Sequence, residues 1–151
     1  MPKDYDPRMH SAEHILNQTM VRKFNCGRSF SNHIEKKKSK CDYHFDRDIS
    51  AEEISEIEYL VNSEIKKNHP VKEEFMLKEK AAEHYFLGRL PAGTGNEIRI
   101  IKIGNYDACP CSGIHVANTS EIGEFKIISS SFNDGVLRVR FKLLETNERN
   151  Y

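Results

Sequence analysis

Met9, Ala12, Leu16, Met20 and Phe24 recur every three to four positions, the spacing that gathers side chains on one face of an α-helix. Asp6 followed by Pro7 supplies the start signal. An aspartate side chain accepts hydrogen bonds from the first free backbone N–H groups, and the fixed φ of proline suits the first helical position. The helix is expected to run to about Cys26-Gly27, where glycine can end it. Ser50-Ala51-Glu52-Glu53 has the form of a capping box. It opens a second helix with Ile54, Ile57, Leu60, Val61 and Ile65 on one face, ended by Asn68-His69-Pro70. Between the helices, residues 29–32 read as a polar loop and 40–45 as a short strand. Beyond them, 71–77 is strand-like, 78–86 a short helix and 97–103 a strand. Residues 125–129 and 136–143 flank Asn133-Asp134-Gly135, a hairpin signal. Helices mix with mostly antiparallel strands and not in βαβ order, so the expected class is α+β, helices packed on a mostly antiparallel sheet.

The length of 151 residues and a hydrophobic share of 38% fit one compact domain over 1–151 with a real core. Basic and acidic residues balance at 23 each, which argues against gripping nucleic acid by net charge alone. Local patches remain open. Lys36-Lys37-Lys38 with Lys40 is one, and Arg138, Arg140 and Lys142, alternating along a strand and so sharing a face, are another. Each reads equally well as solvated surface. Gly93-Thr94-Gly95 is too short, and out of context, for a phosphate-binding motif. No apolar run approaches a membrane span, and the first residues do not form a signal peptide. Cys26, Cys41, Cys109 and Cys111 then read as cytosolic thiols available as ligands, and a cytoplasmic location is expected.

Two pairs carry the chemistry. His10 and His14 lie four apart at the start of the first helix, so both imidazoles can reach one ion. Cys111 and His115 lie four apart in a glycine-containing loop after the strand 97–103. Together they offer four nitrogen and sulfur donors, the set Zn²⁺ prefers, and only a folded domain could unite them across about a hundred residues. The protease motif HExxH is excluded, because Ser11 follows the first histidine and Glu13 precedes the second. Zinc-finger spacing fails as well, for want of a CxxC pair. Cys109 is either an alternative ligand or a thiol lining the pocket.

HSAEHIL at 10–16, IEYLVNSEIKKNHPV at 57–71 and CSGIHVANTSEIGEFKII at 111–128 resemble the editing domain of alanyl-tRNA synthetases, and above all its free-standing AlaX relatives. The threonyl-tRNA synthetase editing domain, with the same HxxxH and CxxxH framework, is a more distant likeness. The resemblance implies a trans-editing hydrolase with Zn²⁺ held by His10, His14, Cys111 and His115. It would remove serine, or sometimes glycine, from the 3′ end of tRNA(Ala). The tRNA would be its partner, with neither DNA nor a membrane involved. Ser31 and Asn32 align loosely with a segment that holds the aminoacyl group, and Thr119 is a third candidate for the substrate hydroxyl. Catalysis is assigned to no side chain, only to the metal and backbone donors of the Gly113 loop. Ile114 departs from the threonine usual at that position. Tyr5, Phe30, Tyr106 and Phe132 are candidate stacking residues for the terminal adenine. Two alternatives stand beside this reading: an RNA-binding module stabilised by zinc without hydrolysis, and an editor of tRNA(Thr).

Overall fold

The computed structural model describes residues 6–87, 90 and 95–144. Tyr5 and most of the Gly93-Thr94-Gly95 loop therefore lie outside the described residues. The chain opens with α1 (Pro7–Phe24), β1 (Ser31–His33), β2 (Ser39–His44) and α2 (Ala51–Lys66). β3 (Val71–Leu77), α3 (Lys78–His84), β4 (Glu97–Ile103) and β5 (Asp107–Pro110) follow. A 3-10 turn at Thr119–Ile122 leads into the hairpin of β6 (Glu124–Asn133) and β7 (Val136–Leu144). Every ladder is antiparallel, in two sheets ordered β1-β2-β7-β6 and β3-β4-β5. The class is α+β, as expected.

Asp6 caps α1 by accepting from the Arg8 N–H, and Ser50 and Glu53 form the reciprocal box on α2. α1 stops earlier than the glycine suggested. Asn25 turns into the left-handed region at φ 56° and donates its N–H to Val21, which a short polar side chain tolerates nearly as well as glycine. β1 and β5 were not legible as strands. They are three and four residues long, too short for a period of two, and exist because β2 and β4 offer them an edge. β6 runs on through Ser129–Ser131, past a register shift between Ile127 and Ser129. Asp134 and Gly135, at φ 50° and 81°, make the tight turn that closes the hairpin.

One apolar cluster joins Met9, Leu16 and Met20 of α1 and Ile57, Val61 and Ile65 of α2 to the inner face of the four-stranded sheet. Alternation puts Leu137, Val139, Phe141 and Leu143 inside and Arg138, Arg140 and Lys142 outside. Leu60, expected on the core face, is instead partly exposed. Thr119 is fully buried: its hydroxyl oxygen accepts from the His69 N–H (2.8 Å) and its O–H donates to the Ile65 carbonyl (3.0 Å). It therefore ties the end of α2 to the chain leaving the ligand loop. No helix among the described residues is long and apolar enough to cross a membrane.

Asp42 on β2 lies opposite Arg138 on β7 and accepts from its Nε (2.8 Å) and Nη2 (3.0 Å). Those hydrogen bonds hold the Asp42 carboxyl below its ordinary value of 3.8. A carboxyl whose folded value is depressed stabilises the fold above its unfolded value and loses that effect as pH falls through the folded one. For a pair this exposed the contribution is about 0.5–1 kcal/mol. Asp42→Asn should lower the urea midpoint accordingly at pH 7, with the difference vanishing near the acid limit. An equal difference at both pH values would rule the ion pair out as its cause.

Candidate metal centre and cleft

His10 and His14, one turn apart on α1, are both buried, and the loop after β5 brings Cys111 and His115 against them. One ligand atom from each of the four lies within 4.8 Å of the others. Cys111 Sγ is 3.5 Å from both His10 Nε2 and His115 Nε2. The set could hold a metal ion. Its spacing fits one: metal–sulfur and metal–nitrogen distances of about 2.3 and 2.0 Å at a tetrahedral angle put sulfur and nitrogen about 3.5 Å apart.

The outer partners point the same way. His10 Nδ1 lies 3.3 Å from the Ile114 carbonyl, which can only accept, so Nδ1 carries the proton and Nε2 keeps its lone pair. His115 Nδ1 is 3.0 Å from Ser11 Oγ, which also accepts from the Val116 N–H. His14 Nδ1 is 3.5 Å from Asp107 Oδ2, a charge contact longer than a well-formed hydrogen bond. Nδ1 of His10 and of His115 is engaged and their Nε2 faces Cys111, the arrangement a metal-binding imidazole needs, whereas His14 Nδ1 is buried without a hydrogen bond and only faces the Asp107 charge.

Electrostatics prepare the thiol. Burial alone would raise the Cys111 pKa, but its contacts with His10, His115 and His14 outweigh it and bring the value to about 3, which favours the thiolate. Burial lowers His115 to about 4, which keeps it neutral and able to donate its lone pair. Burial opposes charge on His14 too, yet Asp107 and Cys111 prevail and raise it. Asp107 is itself buried. It accepts from Arg28 Nη1 (2.7 Å) and Gln18 Nε2 (2.8 Å), and although burial works against its charge, His14 and Arg28 hold its carboxyl below the usual range.

The loop is fixed from β4. Arg99 Nη1 donates to the carbonyls of Cys111 (3.1 Å) and Gly113 (2.7 Å), and the Cys111 N–H returns a bond to the Arg99 carbonyl (3.2 Å). Gly113 lies against the His10 ring, where a Cβ would come within 2.1 Å of Cε1.

Beside the cluster opens a cleft of about 810 Å³, lined among others by His10, Glu13, Arg28, Phe30, Asn32 and Cys109. The Glu13 carboxylate is buried. Its Oε2 accepts from Asn17 and from Asn32 Nδ2 (3.2 Å), while Oε1 lies 3.8 Å from both His10 Nε2 and His14 Nε2.

Of the residues singled out from sequence, His10, His14, Cys111 and His115 converge, and Gly113 and Asn32 line the cleft. Ser31 does not line it. It is exposed on β1 opposite Asp42, because strand alternation turns it away from its neighbour Asn32. Thr119 does not line it either, its hydroxyl being occupied with α2. Cys109 is a thiol of the cleft wall outside the four-residue group. Ile114 is 62% exposed, so its side chain is not packed at the centre and only its carbonyl serves His10. Sequence reasoning missed Ser11, Glu13, Arg28, Arg99 and Asp107 as partners. Ser11 and Glu13, both between the two histidines, were the ones with a local signal.

Asp107→Asn keeps the shape and removes the charge facing His14. It should weaken zinc binding about 10- to 100-fold, the usual effect of losing a ligand's outer partner. Competition with a chromophoric chelator measures this, and unchanged affinity would dismiss Asp107 as an orienting group.

The α+β fold thus brings three imidazoles and a thiol together from its first helix and a distant loop. The family described as the threonyl and alanyl tRNA synthetase second additional domain matches residues 98–140. The alanine–tRNA ligase of Archaeoglobus fulgidus is 37% identical over 145 residues, which cover 89% of this chain and 15% of the ligase. That of Bdellovibrio bacteriovorus is 31% identical over 132 residues, 86% of this chain and 15% of the ligase. That of Methanopyrus kandleri is 36% identical over 112 residues, 72% and 12% respectively. The chain belongs to the editing-domain family related to alanyl-tRNA synthetase, and it spans about 15% of the length of the ligases first named.

Proposed function

We propose that this chain is a zinc-dependent editing domain that hydrolyses the ester between serine, or glycine, and tRNA(Ala). The observation that carries the reading is the convergence of His10, His14, Cys111 and His115 at the wall of a cleft large enough for an aminoacyl-adenosine end. Bound there, Zn²⁺ would supply a Lewis acid beside the ester.

The protein groups do the selecting. Glu13 presents one carboxylate oxygen to the cleft, its other oxygen being held by Asn17 and Asn32, and so offers a fixed negative charge to the α-ammonium of the amino acid. Asn32, which also accepts from the Ser29 hydroxyl, is placed to meet the serine hydroxyl. A pocket built for that hydroxyl leaves polar groups unpaired when alanine enters, which disfavours the correct ester. Residues 111–113 border the same space, and their backbone N–H groups would take the developing charge on the ester oxygen.

The test is deacylation of serine-charged tRNA(Ala), with alanine-charged tRNA(Ala) alongside, before and after metal removal. The expected result is rapid loss of serine, sparing of alanine, and dependence on restored zinc. A second reading, a domain whose zinc is structural only, draws on the fact that four protein donors are enough to close a tetrahedral shell. Folded, zinc-loaded protein that leaves both esters intact would decide for it. Removal of a threonine-tRNA ester instead would transfer the activity to tRNA(Thr).

A further inference from the structure

The two basic segments that looked unrelated in sequence meet on one surface. β2 pairs with β7 so that Lys40 stands directly opposite Arg140, and β6 pairs with β7 so that Lys126 stands opposite Lys142. With Arg138 these cations form a band across the outer face of the four-stranded sheet, and the β1–β2 connection adds exposed Lys36, Lys37 and Lys38 at its margin. The acids at that face are Asp42, already held by Arg138, Glu124, and Glu35 in the β1–β2 connection, which is taken up by His33 (2.6 Å), the residue opposite Lys40. Lys126 lies 3.9 Å from Glu58 of α2. Lys40, Arg140 and Lys142 make no ion pair of their own among the described residues, although Asp42 acts on Lys40 and Arg140 from a distance and Arg140 donates to Ser129 Oγ (3.2 Å).

Like charges placed directly opposite across a ladder destabilise it. The other sheet also sets two lysines face to face, Lys72 opposite Lys102, but there the central-strand cations are paired: Lys102 with Glu74 and Arg99 with Glu73, each at 2.6 Å. In a chain with as many acids as bases, a band of cations without ion pairs along one sheet face is a segregated field. The band also reaches the cleft. His44, in the same outward row of β2 as Lys40 and Asp42, stacks on Phe30 of the cleft wall with ring centroids 4.0 Å apart.

We propose that the outer face of the β1-β2-β7-β6 sheet is the docking surface for the phosphate backbone of the RNA whose 3′ end enters the cleft. The proposal rests on the tRNA reading above and adds where the RNA lies. Lys40, Arg140 and Lys142 make the phosphate contacts, and the Phe30–His44 stack marks the passage from that face to the cleft. Phosphate oxygens would relieve the repulsion that the protein alone leaves across the two ladders.

The test compares wild type, Lys40→Ala/Arg140→Ala/Lys142→Ala, and a control, Lys66→Ala/Lys67→Ala, whose side chains are exposed at the end of α2. Binding of tRNA(Ala) is measured by anisotropy over a range of salt, together with thermal midpoints. Each lost phosphate contact lowers the salt slope by about 0.7–0.9, so the triple variant should lose about 2 in slope and at least about tenfold in affinity at low salt. Its thermal midpoint should hold or rise, since opposed like charges have been removed. The control should match wild type on both counts. Equal affinity and slope in the triple variant, an equal loss in the control, or no tRNA binding by wild type would each overturn the proposal. So would unchanged tRNA binding alongside lost binding to phosphatidylserine vesicles, which would give the face to a membrane. Hydrolysis of a seryl ester on a CCA trinucleotide is read separately. If wild type cleaves no ester while the triple variant loses tRNA binding, the docking face stands and the hydrolase reading falls.

Discussion

Under the proposed function, Cys111→Ser should abolish zinc binding and deacylation and cost much of the stability together. The thiolate is the only sulfur in the four-residue cluster, and three imidazoles keep it ionised despite burial. A serine hydroxyl at the same place stays protonated at neutral pH and is a poor donor to zinc. Losing an outer partner alone weakens metal binding about 10- to 100-fold, so losing the thiolate itself should exceed about 100-fold. Metal binding at such a site is folding free energy, because the donors come together only in the native state. Here α1 is tied to a loop about a hundred residues away, and a loss of about 3 kcal/mol would lower the melting midpoint by about 6–12 °C in a chain of this size. Zinc content by emission spectroscopy, calorimetry and the deacylation rate read the three effects. A variant that keeps a full equivalent of zinc would remove Cys111 from the ligand set. One that loses zinc but keeps full activity would leave the metal a structural role only.

Gly113→Ala tests the same centre without touching a donor. The glycine is needed for space: a Cβ would fall 2.1 Å from His10 Cε1 and 2.5 Å from Nδ1, with no room between ring and loop. The ring cannot simply rotate away, because its Nδ1–H is held by the Ile114 carbonyl and its Nε2 faces Cys111. Nor is the loop free to retreat, since Arg99 grips the carbonyls on both sides of Ser112. Overpacking of this kind costs about 1–3 kcal/mol, and here it falls on a ligand. Zinc affinity should drop about 10- to 100-fold, as for other disturbances of ligand orientation, and deacylation should fall with it. Gly27→Ala, where nothing lies within 4 Å of the added carbon, is the matching control and should change neither. Zinc affinity in Gly113→Ala equal to that of the control would show that the loop yields and that the close approach is not essential.

Much of this fold was legible because its signals are local. A period of three to four residues marked α1 and α2, a serine and a glutamate three apart marked the start of α2, and Asp134-Gly135 marked the hairpin. β3 and β4 fell where apolar runs and turn residues put them. β1 and β5 did not, because a strand of three or four residues is defined by the edge it pairs with and carries no period of its own. At the candidate site, the donor types and their i, i+4 spacing were readable, since one helix turn and one short loop set them. Which polar residues face the cleft was not. Ser31 and Asn32 are adjacent in sequence, but only the pairing of β1 with β2 decides which of them faces the cleft.

The sequence by itself determined the helices, the α+β class and the donor types, because propensity, capping and motif spacing act over a few residues. Only the tertiary structure decided that Asp107, Ser11 and the Ile114 carbonyl orient the three imidazoles, that Thr119 bonds to α2 and stays out of the cleft, and that Lys40 faces Arg140. Those relations join residues about fifty to a hundred positions apart. They follow from strand register and helix packing, which the whole core fixes at once and no local pattern encodes.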